Sequence, residues 1–306
     1  MSSTIEKILV LGASGDQGLP LVAALLDLGA APIAGVRRLD AMKDTAFPDM
    51  PAITADIMDQ DSLETAFAQV DAVAMHLPFV FDIELAAEFG RNIAAAASAT
   101  GLKKIVFNTS CYVADTDLGI SAHDGRRRIE ASLRECGVDY VILRPAVFMD
   151  NMIRIWCKPT IVNKDAFVYP AAEDLKVSWI CLDDLARLSA YAAVTPELRN
   201  KTIPVGGPEP LTGFEVAEKL TAATGRTVHF NSIAPTTFAQ NMSELVTGSR
   251  DIEPQSIYNG MASFYSWYNA QSQSPLNIDP RGFADLLPVK LTSYEEWAAE
   301  QDWTKV

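Results

Sequence analysis

Histidine is scarce in this chain, at His76, His123 and His229 only, and no HExxH or similar ligand spacing is present. A resident metal centre is therefore not expected. Cys111, Cys136, Cys157 and Cys181 lie far apart with no CxxC pair, which excludes a zinc ribbon and argues against a disulfide framework. Free thiols in a reducing cytoplasm are the expectation. Positive charge is also in deficit: 25 Lys and Arg face 39 Asp and Glu, for a formal charge of -14. Such a surface repels a nucleic-acid duplex or an anionic membrane, so neither is expected as a partner. No apolar run reaches the ~18 residues of a membrane span. The first residues run straight into an apolar strand pattern without a basic segment and long apolar region, so no secretion signal is expected. Neither internal repeats nor a low-complexity linker are present.

What is present is a well-filled core composition. Hydrophobic residues make up 49% of the 306, and mean hydropathy is +0.09. Short apolar runs alternate with helical patterns through the first half, the mark of parallel strands joined by crossover helices. Strands are expected at 7–12, 32–36, 52–55, 71–78, 103–110 and 138–145, with helices at 83–100 and about 122–136 between the later ones. The fold class that follows is α/β, a doubly wound parallel sheet. Past residue 150 the alternation fades. A strand is expected at 177–182, with Asp183 or Asp184 capping the next helix, and 202–206 rejoins the sheet. Residues 1–155 and 176–206 are expected to form the nucleotide domain, and 156–175 with 207–306 a smaller α/β lobe for substrate. Met149, Met152, Trp156, Trp179, Phe264 and Trp267 are candidates for an apolar pocket, or for plain packing.

The most specific signal is the loop Gly12, Ser14, Gly15, Asp16, Gln17, Gly18, directly after a strand and opening a helix. Gly12 permits the tight turn, Gly15 lets backbone approach a pyrophosphate, and Gly18 allows close strand–helix packing. The helix N-terminus supplies N–H donors and a positive dipole. About 20 residues further on, where an acidic residue would bind the ribose of NAD, the chain has Val36, Arg37 and Arg38. A guanidinium there suits a 2′-phosphate, so Arg37 points to NADP(H). Asp40 comes slightly late for the acidic role.

These segments, with ADIMDQDSLETAF and ILRPAVFMDNM, resemble the NmrA-like group of atypical short-chain dehydrogenases over roughly residues 5–235. The resemblance implies a Rossmann-type fold and further cofactor residues: Asp56 and Ile57 near the adenine, and His76, Leu77 and Pro78 along the cofactor. It also implies Pro145, Val147 and Phe148 near the nicotinamide, with Asn151 matching the group's Asn. The C-terminal lobe is implied to cover the substrate. Ordinary short-chain dehydrogenases use a Tyr-x-x-x-Lys pair. With Glu130 as anchor, Arg126 stands at the Lys position and Ala122 at the Tyr position, so the Tyr is absent. Arg126 can hold a ribose or substrate oxygen but stays protonated. His123 is the nearest group able to move a proton near neutrality, or else a bland capping residue. Ser110, or Thr109 lining the cofactor, can hydrogen-bond a substrate carbonyl, or simply satisfy the loop.

The chemistry implied is NADPH-dependent hydride transfer to a small apolar or aromatic electrophile: a carbonyl, quinone, enone or benzylic ether. A non-catalytic NADP(H) redox sensor acting through protein partners is the alternative, and an isomerase or lyase on the same fold a third. The substrate is a small molecule, the compartment the cytoplasm, and a homodimer the candidate assembly. Arg37→Ala is expected to weaken NADP(H) binding by about 1.5–3 kcal/mol, far more than it weakens NAD(H). Titration calorimetry with both cofactors decides this, and equal losses remove Arg37 from the 2′-phosphate.

Overall fold

The computed structural model describes residues 4–254 and 256–305. The elements in chain order are β1 (Lys7–Leu11), α1 (Gly18–Asp27), β2 (Ala31–Val36), β3 (Ala52–Thr54), α2 (Gln60–Phe67), β4 (Ala72–His76) and α3 (Ile83–Thr100). Then come β5 (Lys104–Asn108), α4 (Ser121–Glu135), β6 (Asp139–Pro145), α5 (Lys158–Lys164), β7 (Ala166–Tyr169), α6 (Leu182–Val194) and β8 (Lys201–Val205). The chain closes with α7 (Gly213–Thr224), β9 (His229–Ser232), α8 (Pro235–Thr247), α9 (Ile257–Asn269) and α10 (Tyr294–Ala299).

The chain folds as two compact units. The first comprises 1–145, 182–205 and 283–289, and the second 146–181, 206–282 and 290–306. These bounds differ from the expected ones because the chain leaves the large sheet at Pro145. Phe148 then bridges to Ile180, so 146–155 and 176–181 go with the second unit. The first unit carries a seven-stranded, all-parallel sheet in the order β3-β2-β1-β4-β5-β6-β8. The order reverses between β1 and β4, and the carboxyl end of that switch point is where such sheets bind ligands.

Strand alternation divides the core. Leu9, Leu11, Val73, Met75, Ile105, Phe107 and Ile142 pack into one cluster with Leu63 and Phe67 of α2, Ile93 of α3, and Ile129 and Leu133 of α4. Asp59 caps α2 and Asp82 caps α3, each carboxylate accepting two backbone N–H groups, and α3 ends in left-handed Gly101. The alanine-rich stretch of α3 lets α4 approach closely: a Cβ at Gly90 would lie 2.9 Å from Ile129 Cα.

One buried ion pair fastens α4 to the sheet. Glu130, with no exposed surface, accepts from Arg144 Nε (2.9 Å) and Nη2 (2.8 Å) and from Arg134 Nη2 (2.7 Å). Asp115 accepts from Arg144 Nη1 at 2.7 Å, and the carboxylates beside Arg144 hold its pKa above the usual guanidinium range despite burial. The loop before α4 is tied down too. Asp124 accepts from Leu118 N and Gly119 N, while Arg127 and Arg128 both donate to Asp117. The two arginines thus clamp this loop.

In the second unit β7 and β9 form a two-stranded parallel sheet. Segment 177–182 is not a strand: Val177 and Ile180 make isolated bridges to Leu211 and Phe148. Gly207 explains the close passage there, because a Cβ on it would collide with Trp179 O. Neither Asp183 nor Asp184 caps α6, since the helix already begins at Leu182 and both lie in its first turn. Trp179, Met149 and Met152 are buried core, whereas Trp156, Phe264 and Trp267 are partly exposed. Among the described residues no helix is long and apolar enough to cross a membrane.

Glu130→Ala is expected to destabilise the protein by about 3 kcal/mol, because it leaves Nε and Nη2 of the buried Arg144 without an acceptor. Urea unfolding measures this. The double replacement Glu130→Leu with Arg144→Met is expected to recover much of the loss, since no buried charge remains.

Candidate active site

The site is built on the carboxyl ends of β1, β2, β4 and β5. After β1 the chain turns at Gly12 (φ 79°), whose N–H donates to Gly35 O at 3.1 Å. Gly15 N donates to Gly12 O, and Gly15 O accepts from Gly18 N and Leu19 N, each at 3.0 Å. The three glycines have three different reasons. Gly12 needs its left-handed backbone, and a Cβ there would also meet the His76 ring at 2.9 Å. Gly18 needs its missing side chain, because a Cβ would collide with Gly12 O and Ala13. Gly15 needs neither: its φ is ordinary and the nearest atom to an added Cβ is at 3.4 Å. The protein's own packing does not require a glycine at 15, so the bare backbone there fits the approach of a phosphate. Ser14 and Asp16 are exposed beside it.

Arg37 is exposed at the end of β2 and makes no ion pair or hydrogen bond among the described residues, whereas Arg38 pairs with Asp40 at 3.3 Å. The two neighbouring arginines are therefore not equivalent: Arg37 is the free cation. After β3, Asp56 accepts from Met58 N through Oδ1 (3.0 Å), and its own N–H donates to Ser62 Oγ. Ile57 O accepts from Asn92 Nδ2, which holds this turn against α3.

His76 ends β4, packed against the glycine loop. Burial, reinforced by the Arg126 charge and opposed by Asp16, lowers its pKa to about 4, so the ring is neutral at neutral pH. Beyond it, Leu77 O and Pro78 O accept from Arg126 Nη2 at 2.9 and 3.0 Å. Arg126 is 3% exposed, with its guanidinium 5.2 Å from the Phe79 ring centroid. Its Nη1 has no hydrogen-bond partner, and no carboxylate forms an ion pair with it among the described residues. A buried cation without counter-ion is costly. An acceptor oxygen brought in by a ligand would satisfy it. The neighbouring Cys111 sulfur hydrogen-bonds this guanidinium only as a weak, uncharged acceptor, because burial raises the thiol pKa to about 12 despite the adjacent charge.

Two expectations need correcting. Thr109 has no exposed surface, and its hydroxyl donates to Cys111 O at 2.6 Å with Leu143 O at 3.2 Å, so it satisfies the loop and lines no cofactor surface. His123 is 1% exposed, edge-on to Tyr112 with 5.8 Å between ring centroids. Burial, slightly opposed by Asp124, lowers its pKa to about 4, so an ionisation near 6.5 does not belong to it. Ser110 sits in the left-handed region (φ 62°), unusual for a residue with a side chain, and its Oγ donates to Gln17 Oε1 at 3.2 Å. The Asn151 amide, in the second unit, donates to Tyr169 OH at 3.2 Å, and Tyr169 OH lies 2.6 Å from Tyr265 OH. Pro145 ends β6 in the first unit, while Val147 and Phe148 belong to the second. Asn108 and Phe79 were not anticipated; the one sign of Asn108 is a polar residue closing an apolar strand. Among the described residues no cluster of His, Cys, Asp or Glu could hold a metal.

Sheet order, switch point and glycine loop together define a dinucleotide-binding α/β fold. The chain belongs to the NmrA-like family, whose model matches residues 4–298. It is 28% identical over 261 residues to an NAD(P)H azoreductase of Xenophilus azovorans, covering 85% of this chain and 86% of that protein. An agroclavine dehydrogenase of Claviceps fusiformis is 32% identical over 155 residues, 49% of this chain and 53% of that one. The fold is shared with an NADPH-dependent quinone oxidoreductase of Escherichia coli in complex with NADPH, at TM-score 0.79 and 22% identity over 95% of this chain and 98% of that one. It is also shared with a Citrobacter triphenylmethane reductase in complex with NADP(H), at TM-score 0.77 and 21% identity over 96% of this chain and 99% of that one.

The depressed His123 pKa has a stability consequence. The unfolded chain takes up this proton near pH 6.5 and the folded one only near 4, so the contribution is present above 6.5 and lost as pH falls toward 4. His123→Phe is expected to flatten the stability–pH curve in that window by about 1–3 kcal/mol in total. Urea midpoints from pH 4 to 7 test it, and parallel curves for both proteins would show that His123 is not the titrating group.

Proposed function

We infer that this chain is an NAD(P)H-dependent oxidoreductase, and propose NADPH as its reductant and a small apolar or aromatic electrophile as its substrate. A carbonyl, quinone, enone or benzylic ether fits. The observation that carries the reading is Gly15, a glycine that neither backbone conformation nor internal packing demands, set between two that they do. The reductases among the relatives support the reaction class, and the unpaired Arg37 supports the phosphorylated cofactor. Free thiols at all four cysteines agree with a reducing cytoplasm.

When bound, a reduced nicotinamide supplies the hydride. The protein's part is placement and polarisation. Loop N–H groups and the α1 N-terminus hold the pyrophosphate, and Arg37 holds the 2′-phosphate. Arg126 Nη1 takes an oxygen of the nicotinamide ribose or of the substrate, and its fixed charge favours an oxygen that becomes more negative as the neighbouring carbon is reduced. Arg126 does not release a proton, and a neutral His123 is no acid near pH 7. With neither of these an acid near pH 7, the proton that completes the reduction comes from water or another residue. Acceptors whose reduced form is a stabilised anion, such as quinones, need the least help with that step.

NADPH oxidation by the purified protein, followed against quinones, enones and aromatic ketones, tests the reading, with turnover expected for at least one class. Gly15→Ala is the matched control. It is expected to fold with equal or slightly greater stability, by up to about 1 kcal/mol, while binding NADPH at least about tenfold more weakly. Unchanged NADPH affinity in Gly15→Ala would make the loop structural. Binding without turnover across the panel, with different affinities for the oxidised and reduced cofactor, replaces the reductase with a redox sensor.

A further inference from the structure

The side chain of Gln17 has an orientation that follows from donor and acceptor logic alone. Asn108 closes β5 and is 7% exposed. Its Oδ1 lies 2.8 Å from Ser110 N, and a backbone N–H can only donate, so the amide must turn its oxygen to Ser110. The Asn108 Nδ2 then faces Gln17 at 2.7 Å, and an NH₂ can only donate, so Gln17 must present Oε1. Ser110 Oγ donates to that same oxygen at 3.2 Å. Two donors therefore fix the Gln17 amide with its oxygen toward Asn108 and Ser110, leaving Nε2 without an acceptor among the described residues on a partly exposed residue of the glycine loop.

Gln17 is the N-cap residue of α1, yet its side chain makes no cap hydrogen bond and turns to the end of β5 instead. Arg37 ends β2, on the other side of β1 in the sheet order. A dinucleotide crossing the switch point places its 2′-phosphate end on the β2 side and its nicotinamide half on the β4–β5 side. Ser110 is held in its left-handed conformation by the same Asn108 that aims Gln17, so the strained backbone and the amide belong to one device.

We propose that Gln17 Nε2 binds an acceptor oxygen of the nicotinamide-side ribose phosphate, and that Asn108 is the positioning residue that aims it. The proposal rests on the NADP(H) reading above. In consequence Ser110 offers lone pairs, and a ligand hydroxyl suits it better than a substrate carbonyl.

The test measures NADPH and 2′,5′-ADP affinities of the full chain by calorimetry, for Gln17→Leu, Asn108→Leu and the double variant. The adenosine fragment reports the Arg37 half alone. Each single replacement is expected to weaken NADPH about tenfold, the double no more than either single, and 2′,5′-ADP binding to stay unchanged. Gln17→Glu keeps an oxygen for Asn108 and Ser110 while replacing the remaining donor with an acceptor, so it should fold even if Asn108→Leu does not. It is expected to lose NADPH at least as much as Gln17→Leu. Losses that multiply in the double variant, a parallel loss of 2′,5′-ADP, or NADPH binding by Gln17→Glu equal to wild type each overturn the proposal. Wild-type protein that binds neither ligand overturns the nucleotide reading and this proposal with it.

Discussion

The α1 helix begins so close to β1 that no side chain fits between them at Gly18, where a Cβ would strike Gly12 O. This contact sets the height of the helix N-terminus above the sheet. It also fixes the span of the loop: Gly12 must turn with positive φ, and the loop carbonyls at 12 and 15 must take the N–H groups of 15, 18 and 19. The remaining loop atoms face the switch point of the sheet. An anion at that place would meet the positive end of the α1 dipole and a loop whose shape is already fixed, so little reorganisation would oppose its binding.

Around that fixed loop the charges are distributed unevenly, and the unevenness is informative. Most arginines of the first unit have carboxylate partners: Arg144 and Arg134 with Glu130, Arg127 and Arg128 with Asp117, Arg38 with Asp40. Arg37 and Arg126 have none among the described residues. One is exposed, where water solvates it; the other is buried against two carbonyls and a phenyl ring, where nothing does so fully. In a chain of charge -14 carboxylates are plentiful, yet exposed Arg91 of α3 lacks one too, so what sets Arg37 and Arg126 apart is their place beside the carboxyl ends of β2 and β4.

The neutral histidines limit the chemistry. With His76 and His123 both near pKa 4, no imidazolium stands at this end of the sheet at neutral pH, and Cys111 is a thiol. The permanent charge available for polarising a substrate is Arg126, which orients without exchanging protons. That suits hydride transfer, in which the cofactor carries the reacting electrons and the protein sets distance and polarity.

The strands of the first unit, the helices α3 and α4 and the glycine loop were legible from periodicity and punctuation, because apolar spacing, Asp caps and glycines act over a few residues. Arg37 was legible for the same reason, its place being counted from the loop. The apparent strand at 177–182 was misleading: its apolar residues are buried by packing around Gly207 and Trp179, and no long ladder forms. Burial of His123, and with it the loss of its acid role, depended on how α4 folds back against the irregular loop before it, which no periodic pattern encodes. The Gln17–Asn108–Ser110 network joins positions about 90 residues apart, and its logic needs three distances. Sequence alone therefore determined the fold class and the candidate nucleotide loop, which depend on local backbone chemistry. Tertiary structure decided which polar groups are already satisfied and which remain open to a ligand, because hydrogen-bond saturation is a property of neighbours brought together by folding.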